Sequence, residues 1–323
     1  MTDRSDPLVE RVARLEREVG ALRALLARTY EKVEGWPRRL DEIRSRPEYE
    51  DAFAGSPLVS VRIGTYRGGE TLCHRALASV RRQTYPNWEA VVVGDGCEDD
   101  TAEQVEALGD DRIRFFNRPV NGPYPEAPEL RWMVAGTHAF NDAVARTRGR
   151  WIAPLDQDDE WDDDHVAVLL AAAQRARAEV VYGQMRVLVE DGPETWFGAW
   201  PPQLGDFGFQ AALYHADLKE FRYDVNAALV DEPGDWNLAR RMWEAGVRFH
   251  FVPRPVGTYY LGPDGRNRAT WEQRAAERGA LPQPPAPVRA EGVEPSKGFS
   301  ARRPKSASVQ VRGCPRGSAS DRE

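Results

Sequence analysis

Residues 87–101 read NWEAVVVGDGCEDDT. The run from Trp88 to Val93 is short, β-branched and almost wholly apolar, so it predicts a strand buried in a parallel sheet. Pro86 and Asn87 turn the chain into it, and Gly94 to Thr101 leave it as a polar loop before a helix through Val105 and Leu108. Upstream, LVSVRI at 58–63 alternates like a half-buried strand, TYRGG at 65–69 is a loop, and Glu70 to Gln83 has helical spacing through Leu72, Ala76, Leu77 and Val80. Downstream come a third strand, RIRFF at 112–116, a Pro- and Gly-rich loop at 119–128, a helix from Arg131 to Thr147 and a fourth strand, RWIAPL, at 150–155. This alternation predicts an α/β fold, a mostly parallel sheet with helices on both faces. Ligands in such sheets meet the carboxyl ends of the strands.

The remainder is less regular. Asp162 to Ala178 reads as a helix with an acidic first turn, AEVVYGQMRVLVE at 178–190 as further strand, and Trp236 to Ala245 as a helix stopped by Gly246. Trp196, Phe197 and Trp200 lie in a loop read from Thr195 to Asp206, where they could stack on a sugar or a lipid or simply anchor the loop. Residues 1–34 carry two interleaved seven-residue series, Val12, Val19, Leu26 and Val33 on one and Leu8, Leu15 and Leu22 on the other. That heptad predicts a coiled-coil helix and a homodimer; the plainer reading is a single amphipathic helix lying on the domain. Residues 35–55, with Gly35, Pro37 and Pro47, read as a linker, residues 56–270 as the catalytic domain, and residues 271–323 as a disordered low-complexity tail. From Leu281 onward that tail has seven prolines and eight Lys and Arg against four Asp and Glu.

The net charge of −7 gives no basic field for a phosphate backbone, so nucleic acid is not an expected partner. Three cysteines, Cys73, Cys97 and Cys314, are too scattered for a disulfide framework or a zinc site. With no apolar leader-like segment near Met1 and no apolar run of membrane-spanning length, a cytoplasmic protein is expected, peripheral to the membrane at most.

The chemistry concentrates in carboxylates at strand ends. LDQDDEW places Asp156, Asp158 and Asp159 directly after the fourth strand. Carboxylates crowded on a short loop repel one another, and an oxygen-only donor set suits Mg²⁺ or Mn²⁺. Asp162, Asp163 and Asp164 read instead as a solvated turn and helix cap. Asp95, between Gly94 and Gly96, can accept from a nucleobase imide or a ribose hydroxyl. Asp231, Glu232 and Asp235 precede the Trp236 helix, where a carboxylate is either a helix cap or a positioned base.

Taken in order, LVSVRIGTY, ALASVRRQTYPNWEAVVVGDGCEDDT, FNDAVARTRGRWIAPLDQDDEWDDDHV and GDWNLARRMWEAG resemble the family 2 glycosyltransferases over Ser56 to Leu261. The resemblance implies a GT-A, Rossmann-like nucleotide-binding domain and inverting sugar transfer from a nucleotide-diphosphate donor to an acceptor hydroxyl, with a glycan, a lipid-linked or a small-molecule acceptor. It assigns Thr65, Tyr66 and Asp95 to the nucleotide, Asp156 of the DxD motif to the neighbourhood of the ribose, Asp158 to a divalent metal and Asp235 to the catalytic base. Arg266 and Arg268 stand where a diphosphate-binding segment is often found. The chain departs from the family in having Gly94-Asp95 and Gly234-Asp235 where two acidic residues are common. The alternative is a catalytically degenerate nucleotide-sugar-binding or scaffold protein.

Overall fold

The computed structural model describes residues 7–31, 35–189 and 194–261. Val33, Arg266, Arg268, Cys314 and the tail expected over 271–323 lie outside the described residues.

Helix α1 (Pro7–Glu31) carries the predicted heptad on one continuous helix. Leu8, Val12, Leu15, Val19, Leu22 and Leu26 are all exposed, so the seam is not laid on the domain. The expected coiled coil is accordingly not formed within one chain, because a heptad seam needs a second helix with the same repeat. Arg23 of α1 pairs with Asp231 at 2.6 Å. Among the described residues no helix is long and apolar enough to cross a membrane.

The linker reading of 35–55 is corrected by the structure. Helix α2 (Trp36–Arg44) and a 3₁₀ turn (Pro47–Phe53) fill this stretch, and each begins with its proline in the first turn, where no amide partner is lost. Leu40, Ile43, Tyr49, Ala52 and Phe53 are buried, and Trp36 stacks on Phe221 with ring centroids 3.7 Å apart. Arg44 and Tyr49 both reach Glu179, which is wholly buried.

Strand β1 (Val59–Thr65) leads through α3 (Gly69–Thr71), a π-helical turn (Leu72–Leu77) and α4 (Ala78–Arg81) to β2 (Trp88–Gly94). Then follow α5 (Thr101–Glu106), β3 (Ile113–Asn117), α6 (Pro128–Val134), α7 (Thr137–Ala145) and β4 (Trp151–Asp156). The single helix expected from 131 to 147 is therefore two, broken at Gly136, whose φ of 81° is left-handed. A short β5 (Glu160–Trp161), α8 (His165–Ala176), β6 (Val180–Val189), β7 (Thr195–Phe197), β8 (Ala212–His215), α9 (Gly234–Glu244) and β9 (Phe249–Leu261) complete the element order.

All strands join one sheet in the order β3-β2-β1-β4-β8-β6-β9-β5, with β7 on β6. The first half is parallel as predicted. The second half is not: β4–β8, β6–β8, β6–β7 and β5–β9 are antiparallel, and only β6–β9 is parallel. The mostly parallel sheet is thus corrected to a mixed one. A parallel neighbour needs a crossover, usually helical, whereas β7 and β8 are reached through loops and 3₁₀ turns alone.

One further correction concerns β1, which was read as half-buried. Every residue of it is buried. Val59, Val61 and Ile63 enter the main core, while the polar alternates find partners on the other face: Ser60 donates to Glu89 of β2 at 2.7 Å, and Arg62 is sealed beneath Phe140 of α7. Gly64 completes this row, since a β-carbon there would lie 2.5 Å from the Phe140 ring.

Candidate active site

The chain runs from β1 outward to β3 and then returns to β4 on the opposite edge of β1, which opens a crevice at the carboxyl ends of β1 and β4. Register fixes what stands there. Gly64 is level with Asp156 and Thr65 with Gly94, so Thr65, Asp95 and Asp156 emerge side by side.

The DxD loop is tied down by its middle residue. Gln157 accepts a short hydrogen bond from the Thr65 hydroxyl and donates to the Arg67 carbonyl at 3.1 Å. The Asp158 carbonyl accepts from Arg75 at 2.7 Å, and Arg75 in turn lies over Tyr260. Asp156 is 35% exposed and approaches Arg62 Nη1 at 3.5 Å. Asp158 is exposed as a residue, yet desolvation of its carboxyl group and then the Asp156 charge raise its pKa. Asp159 points inward, where its Oδ1 accepts from the Tyr260 amide at 3.3 Å and its Oδ2 has no partner among the described residues. Burial first, then Asp158 and Asp156, push its pKa well up.

Among the described residues no three metal-binding side chains converge. A Mg²⁺ ion shared with bound phosphates needs only one or two protein carboxylates, with water completing its shell. The neighbouring Asp156 and Asp158 offer oxygen donors only, and the Asp156 charge beside Asp158 opposes ionisation of the latter, which fits such an ion.

Thr65 is buried, and Tyr66 is exposed with the Arg67 guanidinium 4.9 Å from its ring centre. Asp95 sits at the strand ends as predicted, but its carboxylate is already engaged. It accepts from Arg118 at 2.6 Å, from the Tyr124 hydroxyl at 2.5 Å and from the Gly122 amide at 3.2 Å. Only 3% exposed, it organises the 118–124 loop instead of presenting a free acceptor. Asp162, Asp163 and Asp164 pair with Arg186, Arg82 and Arg254, so the solvated turn is in fact a row of ion pairs.

Asp235 lies in the first turn of α9, whose cap position is Pro233 and which has no side-chain cap bond. Its Oδ2 accepts instead from the Phe209 amide at 3.2 Å, on a different element. Burial, then the Asp156 charge, raise its pKa to about 6, against the opposing effects of Arg62, the Phe209 amide and the Tyr223 hydroxyl. Its neighbours are otherwise occupied: Asp231 pairs with Arg23, and Glu232 is forked by Arg240 and held by Asn237.

Asp156 and Asp235 line one cavity of about 420 Å³, walled by Trp132, Phe140, Phe197, Phe207, Tyr223, Trp236 and Tyr259. Phe197 is therefore in the wall, whereas Trp200 is half-exposed and packs edge-on against Trp243. Arg62, Tyr223, Phe209 and Gln157 were not singled out from sequence. Arg62 alone left a signal there, as a charge inside a strand that is otherwise apolar or small.

A family profile described as glycosyl transferase family 2 matches residues 60–126 and 132–229, just over half of the chain; the match ends short of Asp235. Among curated relatives, UDP-Glc:alpha-D-GlcNAc-diphosphoundecaprenol beta-1,3-glucosyltransferase WfgD of Escherichia coli is 29% identical over 131 residues, 41% of this chain and 47% of its own. Amylovoran biosynthesis glycosyltransferase AmsB of Erwinia amylovora is 22% identical over 221 residues, 62% of this chain and 69% of its own. The segments shared with the first three curated relatives span 17% to 47% of those proteins' lengths. Among solved structures, the mannosyltransferase PcManGT from Pyrobaculum calidifontis, in complex with GDP-Man and Mn²⁺, superposes with a TM-score of 0.50 at 17% identity, covering 80% of this chain and 73% of that one, a likeness of fold. With the profile spanning the parallel half of the sheet and the DxD loop, the chain belongs to glycosyl transferase family 2.

Proposed function

We propose that this protein is an inverting glycosyltransferase that moves a sugar from a nucleoside-diphosphate donor to an acceptor hydroxyl. The observation that carries the reading is the shared cavity, which brings the DxD carboxylate Asp156 and the α9 carboxylate Asp235 to one space. Asp235, with its pKa raised to about 6, is ionised at neutral pH and basic enough to take a hydroxyl proton. As that proton leaves, the acceptor oxygen bonds to the anomeric carbon and the bond from that carbon to the diphosphate oxygen breaks. The products are the inverted glycoside and a nucleoside diphosphate.

Thr65 and Tyr66 border the nucleotide, and Asp156 faces its ribose. Asp95 acts on the base by fixing the loop of Arg118, Asn121 and Tyr124 around it. Asp158, with Asp156 beside it, would hold the divalent ion; when bound, such an ion offsets charge on the departing diphosphate. The aromatic walls suit the face of a sugar ring in the acceptor, whether free, in a glycan or lipid-linked. A cytoplasmic setting, peripheral to the membrane, and pairing of two copies through the exposed α1 seam belong to the same proposal.

Purified protein incubated with a panel of nucleotide sugars and Mn²⁺, with nucleotide release followed with and without candidate acceptors, tests the reading. Release that requires an acceptor and disappears in Asp235→Asn supports it. Donor binding without turnover across a broad acceptor panel would favour the degenerate binding protein.

A further inference from the structure

Arg62 has no evident use in folding. It is 1% exposed on the central strand β1, its Nε has no partner among the described residues, and its guanidinium is pressed against the Phe140 ring, 4.0 Å from the centroid. Burying a guanidinium costs several kcal/mol, and an apolar side chain commonly serves a core as well or better. What the arginine does have is direction. Nη1 faces Asp156 at 3.5 Å, and Nη2 donates to the Tyr223 hydroxyl at 2.7 Å.

An arginine can only donate, so the Tyr223 oxygen must accept, and the tyrosine proton is left to be given elsewhere. Tyr223 and Asp235 line the same cavity, and the tyrosine lies close enough to the carboxylate to lower its pKa, which makes Asp235 the acceptor within reach of that proton. The tyrosine ring is itself clamped, 5.3 Å from the Phe140 ring and 6.0 Å from that of Phe209, whose amide binds Asp235 Oδ2.

We propose that Arg62 and Tyr223 form a positioning relay for Asp235: the buried guanidinium orients the tyrosine hydroxyl, and the hydroxyl holds the carboxylate toward the acceptor side of the cavity. Both are positioning residues, and their role rests on the reading of Asp235 as the base. The same cation separates two carboxylates that would otherwise repel each other across the cavity. A carboxylate held by only the Phe209 amide can still swing, whereas two donors on different elements fix its plane.

The test is a double-mutant cycle at saturating donor. Tyr223→Phe keeps the ring and removes the hydroxyl, so kcat should fall about ten-fold or more, on the scale of a hydrogen bond to a charged group, while nucleotide affinity by calorimetry stays put. In an Asp235→Asn background the same change should have almost no further effect. An equal fall in both backgrounds, or no fall in either, overturns the relay. Arg62→Met should lower kcat comparably and Arg62→Lys restore part of it; if Tyr223→Phe does not fold, this pair decides, and equal rates for Met and Lys overturn the proposal. If Asp235→Asn itself turns over at the wild-type rate, the reading of the base has failed instead.

Discussion

Asp235 Oδ2 accepts a hydrogen bond from the backbone amide of Phe209 at 3.2 Å, and not from any amide of the helix it begins. Spacing alone favours a helix cap over a positioned base, and a contact to a different element speaks against the cap. Asp235→Asn retains an acceptor for Phe209 but cannot take a proton. Turnover is expected to fall by roughly 10²-fold or more with donor affinity almost unchanged. Near-wild-type transfer at an unchanged melting temperature would remove Asp235 from the chemistry.

The pH profile follows from the same environment. A base that titrates at about 6 is active when ionised, so kcat/KM should decline as pH falls through that value. The sign for stability is opposite. A carboxyl whose pKa is higher folded than unfolded binds its proton more tightly in the fold, so its contribution is full below about pH 4 and is lost as pH rises through 6. Asp235→Asn should therefore flatten both the activity limb and the stability change in that window. A kcat/KM limb unmoved by the substitution would contradict the assignment.

For the metal, nucleotide binding is the readout. UDP or GDP affinity should rise on adding Mn²⁺, and Asp158→Asn should abolish the increment while leaving the metal-free affinity in place. Equal affinity in EDTA and in Mn²⁺ would take the ion out of the donor site.

The segment 36–53 should be inseparable from the domain. Glu179 accepts from Arg44, Tyr49 and the Arg248 amide, and these partners hold its pKa low despite burial. Glu179→Ala leaves the partly exposed Arg44 and Arg248 without their carboxylate and the buried Tyr49 hydroxyl without its acceptor, for which about 1–3 kcal/mol of stability should be lost. The contribution of the native group is present above the ordinary glutamate pKa and disappears as pH drops through and below it. Removing residues before Ser56 should lower the melting temperature by at least as much, whereas removal before Gly35 should hardly move it.

The exposed α1 seam predicts oligomeric state. Sedimentation at tens of micromolar should give a dimer for the full chain and a folded monomer once the residues before Gly35 are deleted. A monomeric full-length chain would mean that the seam serves another surface.

Much of this architecture could be read from the chain because its cause is local. The run from Trp88 to Val93 could only be a buried strand, the glycines around Asp95 a loop, and the four β-then-α alternations a parallel half-sheet with its ligand edge at Thr65, Asp95 and Asp156. Heptad spacing likewise specified a helix over α1 whatever covers it. Where the reading failed, the deciding partners lie far along the chain. Pro37 and Pro47 resemble linker punctuation until Glu179, more than a hundred residues away, shows that they open helices packed on the core. Arg62 looked like the solvent face of a half-buried strand, and α7 and Tyr223 turn that face into an interior. Asp95 had the position of a free acceptor, but the 118–124 loop folds back and takes its oxygens. Asp235 could not be distinguished from Asp231 or Glu232 by spacing, since all three precede one helix. Tertiary packing gave Arg23 to the first and Arg240 to the second, and left Asp235 facing Asp156, Tyr223 and the cavity. A carboxylate's chemistry depends on which charges and donors surround it at 3 to 5 Å, and only the folded chain sets those distances.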